Sequence, residues 1–157
     1  MNEFYSLVQY MDIIEIRKTF STGDQQKIEM MARNILVYGR SHEYMQRLSH
    51  YADEFNNLLF MTNPEDKDYL ALVYILAEHL KEISNGACAC SIIKKPMYNS
   101  PERLSGILEV LDENTDVDNY GIRVHSRCLA CGKAYESITV ESRFGQKVIW
   151  NDLPYAT

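Results

Sequence analysis

Apolar side chains in the first 85 residues recur every three or four positions, which is the spacing of one face of a helix. This pattern predicts four helices. The first covers about residues 4–18, and the second carries an apolar stripe from residue 28 to a stop near Gly39. The third begins after the N-cap Ser41 and continues through Leu59, and the fourth covers residues 64–84.

The fourth helix has the clearest pattern, because its apolar positions follow one face over four turns. They are Tyr69, Leu72, Val73, Leu76, Leu80 and Ile83. Asn85 and Gly86 follow directly and favour a left-handed stop. We therefore expect this helix to lie in the core and to end just before Cys88.

After Gly86 the pattern changes to short runs rich in β-branched and aromatic residues, which are typical of strands. The runs cover residues 107–111, 120–124, 135–141 and 148–150, with an acidic loop predicted at 112–118 and a hairpin at 143–146. Helices followed by strands indicate an α+β fold, with about four N-terminal helices and then a small antiparallel sheet. We predict a helical region at 1–86 and a β region at 87–157, packed as one compact unit.

The composition indicates a globular chain of 157 residues with a net charge of −6. Residues 1–85 hold 13 Asp/Glu against 8 Lys/Arg, a balance of −5, and residues 86–157 hold 9 against 8, a balance of −1. An acidic surface disfavours nonspecific nucleic-acid binding and favours a basic partner. The longest apolar run, 70–77, is too short for a membrane span, and no signal peptide is visible, so the expected compartment is the cytoplasm.

The four cysteines of the chain fall in two close pairs, Cys88 with Cys90 and Cys128 with Cys131. Each pair can turn both sulfurs toward one point, and two such pairs supply the four thiolates of a tetrahedral zinc site. Gly132 suits the tight turn that follows a C-x-x-C pair. The spacing therefore predicts a zinc-ribbon-like sheet with a structural Zn²⁺.

Four protein thiolates leave no open coordination position, so the expected role of the metal is to hold two loops together. Alternatives are a disulfide, unrelated buried cysteines or an iron–sulfur centre. A histidine can also replace one cysteine, and His125 is the nearest candidate in sequence.

Outside the cysteines, no standard catalytic motif is present, and we expect a protein that is not an enzyme. His42 and His50 are eight residues apart and are interpreted as members of a solvated helix face. The acidic loop is interpreted either as simply solvated or as a contact patch for a basic partner. The residues predicted for that patch are Asp112, Glu113, Asp116 and Asp118.

The order of motifs in the second half resembles a known type of module. It consists of Cys88-Ala-Cys90, a Gly-Ile-Leu-Glu-Val strand at 106–110, a segment at 120–135 containing Cys-x-x-Cys-Gly, and a final hairpin with Trp150. These residues resemble the zinc-ribbon-like module of small bacterial immunity proteins associated with polymorphic and contact-dependent growth-inhibition toxins. The resemblance covers residues 88–150. It implies a protein that binds and neutralises one toxin domain, and it carries over no toxin-contact residues.

The leading hypothesis is therefore an immunity protein whose partner is a basic toxin domain, such as a nuclease. The alternative is a zinc-ribbon adaptor in transcription or RNA metabolism. Arg123, His125 and Arg127 alternate on one strand and favour a phosphate contact, but the net charge of −6 opposes it.

Overall fold

The computed structural model describes residues 13–37, 41–61, 71–97, 99–116 and 121–154. These residues form two compact units. The helical unit contains the described residues up to Leu36 and those between Glu43 and Ala87. The sheet unit contains the described residues from Cys88 onward, together with Val37, Ser41 and His42. The sequence predicted a single boundary after residue 86, so it did not predict that Val37, Ser41 and His42 would belong to the sheet unit.

The helical unit contains five helices over the described residues. They are α1 (13–21), α2 (Gln25–Val37), α3 (His42–Ser49), α4 (Ala52–Met61) and α5 (Ala71–Ser84). The turn before α2 is capped by Asp24. The Asp24 carboxylate accepts the backbone N–H groups of Gln26 and Lys27, at 3.1 and 3.2 Å, and so satisfies two donors that the helix leaves open.

The predicted third helix is wrong in one respect, because it is two helices, α3 and α4, separated at His50 and Tyr51. The backbone N–H groups of these two residues bond three residues back, to Arg47 and Leu48, at 3.2 and 2.9 Å. Such bonds tighten the last turn of a helix and end the regular ladder. The Ser49 hydroxyl also donates to the Gln46 carbonyl at 2.6 Å, so it competes for an acceptor of the same turn. The apolar stripe is continuous across this break, so periodicity alone does not detect it.

Aromatic and aliphatic side chains form the interior of the helical unit. The rings of Phe20 and Phe55 meet edge to face with centroids 5.4 Å apart, and both are at most 1% exposed. The predicted stripe of α5 is buried at Val73, Leu76, Leu80 and Ile83. Each large aliphatic side chain buried in this way contributes about 2 kcal/mol to folding. The predicted start of this helix at residue 64, and Tyr69, lie outside the described residues.

Gly86 ends α5 as predicted, with a φ of 104° that favours glycine. The Gly86 N–H bonds to the Ile83 carbonyl at 3.0 Å, and the Ala87 N–H bonds to the Glu82 carbonyl at 2.9 Å. This pair of bonds is the Schellman arrangement, which satisfies carbonyls at the helix end. It delivers the chain directly to Cys88.

The sheet unit contains a four-stranded antiparallel sheet with the strand order β1-β2-β3-β4. The strands are β1 (Leu108–Asp116), β2 (Gly121–Cys128), β3 (Ala134–Ser142) and β4 (Gly145–Asp152). The predicted hairpin is confirmed, since Ser142 pairs with Gly145 and leaves two residues between the strands. The α+β fold class, with N-terminal helices followed by an antiparallel sheet, is likewise confirmed.

The acidic segment predicted as a loop is strand up to Asp116. Asp112 pairs with His125, and Glu113 pairs with Val124 across the ladder. A β-bulge at Leu111 shifts the register immediately before them. Acidic residues are poor strand formers, but here they lie on an exposed edge strand opposite cationic and apolar partners, and these cross-strand pairs override intrinsic propensity. Asp118 lies outside the described residues.

The two faces of the sheet differ in chemistry because neighbouring residues in a strand point to opposite sides. On β2, Val124, Ser126 and Cys128 are buried, whereas Arg123, His125 and Arg127 alternate with them and are more exposed. The buried face therefore leads to the cysteines, and the opposite face carries charge. Among the helices that the structure describes, none has the length and apolar character needed to cross a membrane.

Candidate metal centre

The first cysteine pair lies at the start of a short 3₁₀ helix, Ala89–Lys94. Cys88 is the residue that precedes it, and the Cys88 carbonyl accepts the Ser91 N–H at 3.0 Å. Cys90 is the second residue of the helix and is only 3% exposed. Cys88 keeps an extended backbone (φ −77°, ψ 144°) just before the turn, and its sulfur and that of Cys90 lie within 4.8 Å of each other, as a chelating pair requires.

The second pair lies in the turn between β2 and β3. Cys128 ends β2, and its N–H and carbonyl bond to the Lys133 carbonyl and the Gly132 N–H at 2.9 and 3.1 Å. Gly132 adopts a φ of 77°, a left-handed conformation that costs a residue with a Cβ about 1 kcal/mol or more. The predicted role of Gly132 is confirmed, since it closes the turn that presents Cys131.

The four sulfur atoms converge. All lie within 4.8 Å of one another, with Cys88 and Cys128 Sγ 3.5 Å apart and Cys90 and Cys131 Sγ 3.7 Å apart. Zinc bound to four sulfurs at about 2.3 Å requires sulfur separations of about 3.8 Å. A disulfide requires about 2.05 Å, and all four cysteines are free. The cluster therefore fits a structural metal with four thiolate ligands.

Hydrogen-bond donors lie close to the sulfurs of Cys128 and Cys90. The N–H groups of Ala130 and Cys131 lie 3.4 and 3.5 Å from Cys128 Sγ, as in a loop that wraps around a thiolate ligand. The hydroxyl of Tyr135 lies 3.0 Å from Cys90 Sγ. A metal-bound thiolate has no proton to donate, so the tyrosine O–H is then the donor. Such outer contacts orient ligands and partly offset their charge.

Tyr135 is held firmly for this contact. It is 1% exposed, its ring meets that of Trp150 edge to face at 6.4 Å, and the Lys133 ammonium lies 5.5 Å from the ring centroid. Trp150 in turn donates its indole N–H to the Asn99 carbonyl at 3.1 Å. Residues of β3, β4 and the segment before β1 thus support one ligand of the cluster.

The thiols differ in their protonation. Burial raises the pKa of Cys90 and also that of Cys128, so these two sites hold their protons more tightly than an ordinary thiol. Cys131 is exposed, and its pKa is lowered. Partial burial raises this pKa, but hydrogen bonds from the Lys133 backbone and the neighbouring cysteines lower it by more. Metal binding at such a site must displace protons, which makes it dependent on pH.

The histidine suggested as an alternative ligand is not at the cluster. The His125 ring nitrogens lie 2.9 Å from an Asp112 carboxylate oxygen and 3.0 Å from a Glu136 carboxylate oxygen, on the charged face of the sheet. The histidine close to the sulfurs is His42, whose Nε2 lies 3.3 Å from Cys128 Sγ. The interpretation of His42 as part of a solvated helix face is therefore wrong. No sequence signal indicated its position, because 85 residues separate it from Cys128.

Three of the four residues predicted to contact a partner, Asp112, Glu113 and Asp116, belong to β1. Asp112 and Glu113 are exposed, and Asp112 is bonded to His125. Asp116 ends β1, and Asp118 is outside the described residues. Val110 and Leu111, 52% and 44% exposed, lie beside the acidic residues and were not predicted as a surface feature.

Together, the fold and the cluster define a class: an α+β chain with four cysteines gathered at one end of a four-stranded antiparallel sheet. Comparison with known proteins goes no further, because no family model, no curated protein and no solved structure matches the chain.

Proposed function

We propose that this chain is a non-enzymatic binding protein whose sheet unit is organised by structural Zn²⁺, and that it acts in the cytoplasm as an immunity protein against a basic toxin domain. The observation that carries the metal-binding part of the proposal is the convergence of the sulfurs of Cys88, Cys90, Cys128 and Cys131 within 4.8 Å. Four thiolates complete a tetrahedral shell and leave no position for water or substrate. The metal therefore supports folding, and function is assigned to the surface that it holds in place.

Zinc is favoured among thiophilic metals because it accepts tetrahedral coordination by four sulfurs and has no redox chemistry to suppress. Elemental analysis of protein purified without added metal tests this assignment. We expect one zinc per chain and no absorption from iron–sulfur charge transfer. Stoichiometric iron with visible absorption would replace zinc in the proposal, and a folded, metal-free chain would remove the metal centre from it.

A protein partner is supported by the character of β1. Residues 109–115 of this edge strand are all exposed, and they combine three carboxylates with the apolar side chains of Val110 and Leu111. An edge strand offers unpaired backbone groups to another chain, and acidic side chains favour a basic one. A toxin that acts on nucleic acid needs a basic surface for its substrate, so an acidic strand is suited to block it.

The adaptor hypothesis receives less support, because the cations on which it depends already have acidic partners. Arg123 bonds to Glu136 at 3.0 Å and Arg127 bonds to Glu109 at 2.9 Å. His125 is bonded to carboxylates through both ring nitrogens. A phosphate approaching this face meets a carboxylate beside each cation, which opposes binding.

Affinity purification from the native host, followed by mass spectrometry, identifies the partner. Association kinetics then test the surface. We expect Glu113→Lys to slow association severalfold at low salt, and the effect to shrink as salt screens it. The matched control is Glu141→Lys, which makes the same charge change at an exposed position of β3. If both variants slow association equally, β1 acts only through the net charge of the protein. If the affinity purification retains RNA but no protein, the adaptor hypothesis is favoured.

A further inference from the structure

His42 approaches the cysteine cluster from a distant part of the chain. It is the first residue of α3 and belongs to the sheet unit, as do Cys128 and Ile107. Its Nε2 atom lies 3.3 Å from Cys128 Sγ and 3.0 Å from the Ile107 carbonyl oxygen. The ring is neither fully buried nor fully exposed. A histidine this close to a metal-binding sulfur is either a ligand or a hydrogen-bond donor. The Ile107 carbonyl oxygen, which also lies near Nε2, distinguishes the two roles.

The Ile107 carbonyl can only accept hydrogen bonds. It already accepts the Leu129 N–H at 3.0 Å, and a second contact at 3.0 Å from Nε2 is attractive only if Nε2 carries a proton. A protonated ring nitrogen has no lone pair for a metal. The same N–H is within reach of the Cys128 sulfur, so it can be shared between the carbonyl and the thiolate.

We infer that His42 is a positioning residue of the metal centre and not one of its ligands. Its Nε2–H donates to Cys128 Sγ and to the Ile107 carbonyl, and so it joins the amide N–H groups of Ala130 and Cys131 around one thiolate. Cys128 then has three donors, which spread its negative charge and hold its lone pairs in the direction of the metal. This inference rests on the proposed zinc centre, and it assigns a function to a residue far from both cysteine pairs in sequence.

Two substitutions distinguish the effect of the Nε2–H donor of His42 from the effect of its aromatic ring. His42→Phe keeps an aromatic ring but removes the N–H, and we expect zinc affinity to fall about tenfold in chelator competition. His42→Gln places an amide N–H near the same point, and we expect it to restore most of that loss. The matched control is His50→Phe, at an exposed position just after α3, with affinity unchanged. Equal affinity of His42→Phe and wild type would overturn the inference, as would an equal loss in both His42 variants.

Spectroscopy of the wild-type chain tests the inference without any variant. In ¹¹³Cd-substituted protein we expect a shift typical of four sulfurs and a histidine Nε2–H resonance that couples to the cadmium across the hydrogen bond. A shift typical of three sulfurs and one nitrogen, or an Nε2 without a proton, would overturn it. Zinc content is measured first on the same wild-type protein, so a failure of the proposed metal centre is recognised separately from a failure of the role of His42.

Discussion

The helical unit and the sheet unit are stabilised in different ways. In the helical unit, large side chains such as Phe20, Phe55 and Leu76 are at most 1% exposed, so hydrophobic burial supplies the stability. In the sheet unit, β1 is exposed from residue 109 to 115 and most of β4 is exposed as well. Its buried side chains include those of Cys90, Cys128 and Tyr135. A small sheet with so little covered surface needs another source of stability, and the four-cysteine cluster fits a structural metal that would supply it.

Two probes report on the units separately. Trp150 is the only tryptophan in the chain and lies in β4, so its fluorescence follows the sheet unit. Ellipticity at 222 nm is dominated by the helices. If the units differ as described, the two signals should respond differently to the same perturbation, and coincident transitions would indicate a single cooperative unit.

Loss of the metal should have the largest effect. Structural zinc contributes on the order of 10 kcal/mol to the folding of small zinc modules, and Cys128→Ser removes one of four ligands. We expect this variant, or chelation of the wild type, to abolish the folded Trp150 signal while most of the ellipticity remains. An unchanged Trp150 emission spectrum after chelation would show that the sheet unit holds without metal.

The second prediction concerns a substitution that should unfold the helical unit. Leu76→Asp places a carboxylate at a position of α5 that is 1% exposed, and we expect it to cost on the order of 4 kcal/mol or more and to remove the helical ellipticity. Met30→Asp is the matched control, because Met30 is 64% exposed on α2 and the change should cost less than about 0.5 kcal/mol. Thermal unfolding at 222 nm measures both, and a harmless Leu76→Asp would refute the assignment of this face to the core.

A third prediction compares the same atom deletion in both units. Tyr135→Phe removes the donor that lies 3.0 Å from Cys90 Sγ, and we expect a loss of about 1.5 kcal/mol in the metal-loaded protein because the acceptor is a charged thiolate. Tyr51→Phe in the helical unit leaves the ring contacts with Phe55 and Arg17 in place and should be nearly neutral. Denaturant midpoints of the zinc-loaded protein, followed by Trp150 fluorescence for Tyr135→Phe and by ellipticity at 222 nm for Tyr51→Phe, check this result. An unchanged midpoint for Tyr135→Phe would show that its hydroxyl does not stabilise the metal centre.

The difference between the units also explains what the sequence predicted. Helical periodicity and the Asn85-Gly86 stop are local signals, so the buried face and end of α5 were predicted correctly. The cysteine pairs are local as well, and their spacing identified the cluster. His42 and the pairing of Asp112 with His125 depend on which distant segments meet, and no local pattern encodes that. The strand at 112–116 was missed because cross-strand partners on β2 override the low strand propensity of its acidic residues.

The smallest expected effect concerns the charged face of the sheet. The hydrogen bond to Glu136 raises the pKa of His125 above its ordinary value of 6.5, with Asp112 acting in the same direction, and the hydrogen bond from His125 lowers the pKa of Glu136 below 4.5, helped by Arg123. A raised histidine pKa stabilises the fold fully below pH 6.5, and this contribution disappears as pH rises through the folded value. A lowered carboxyl pKa stabilises it above pH 4.5 and is lost as pH falls through the folded value.

The ion pair of His125 and Glu136, called the bridge below, should therefore contribute most to stability between about pH 4.5 and 6.5. Because the groups are partly exposed, we expect no more than about 0.5 kcal/mol, diminished by salt. Denaturant midpoints followed by Trp150 fluorescence at pH 5.5 and 8.5 measure it, and His125→Gln should remove the difference that is due to the bridge. His50→Gln, at an exposed position outside the sheet unit, is the matched control. If His125→Gln leaves the pH dependence unchanged, the dependence has another source, and the contacts of His125 do not contribute to it.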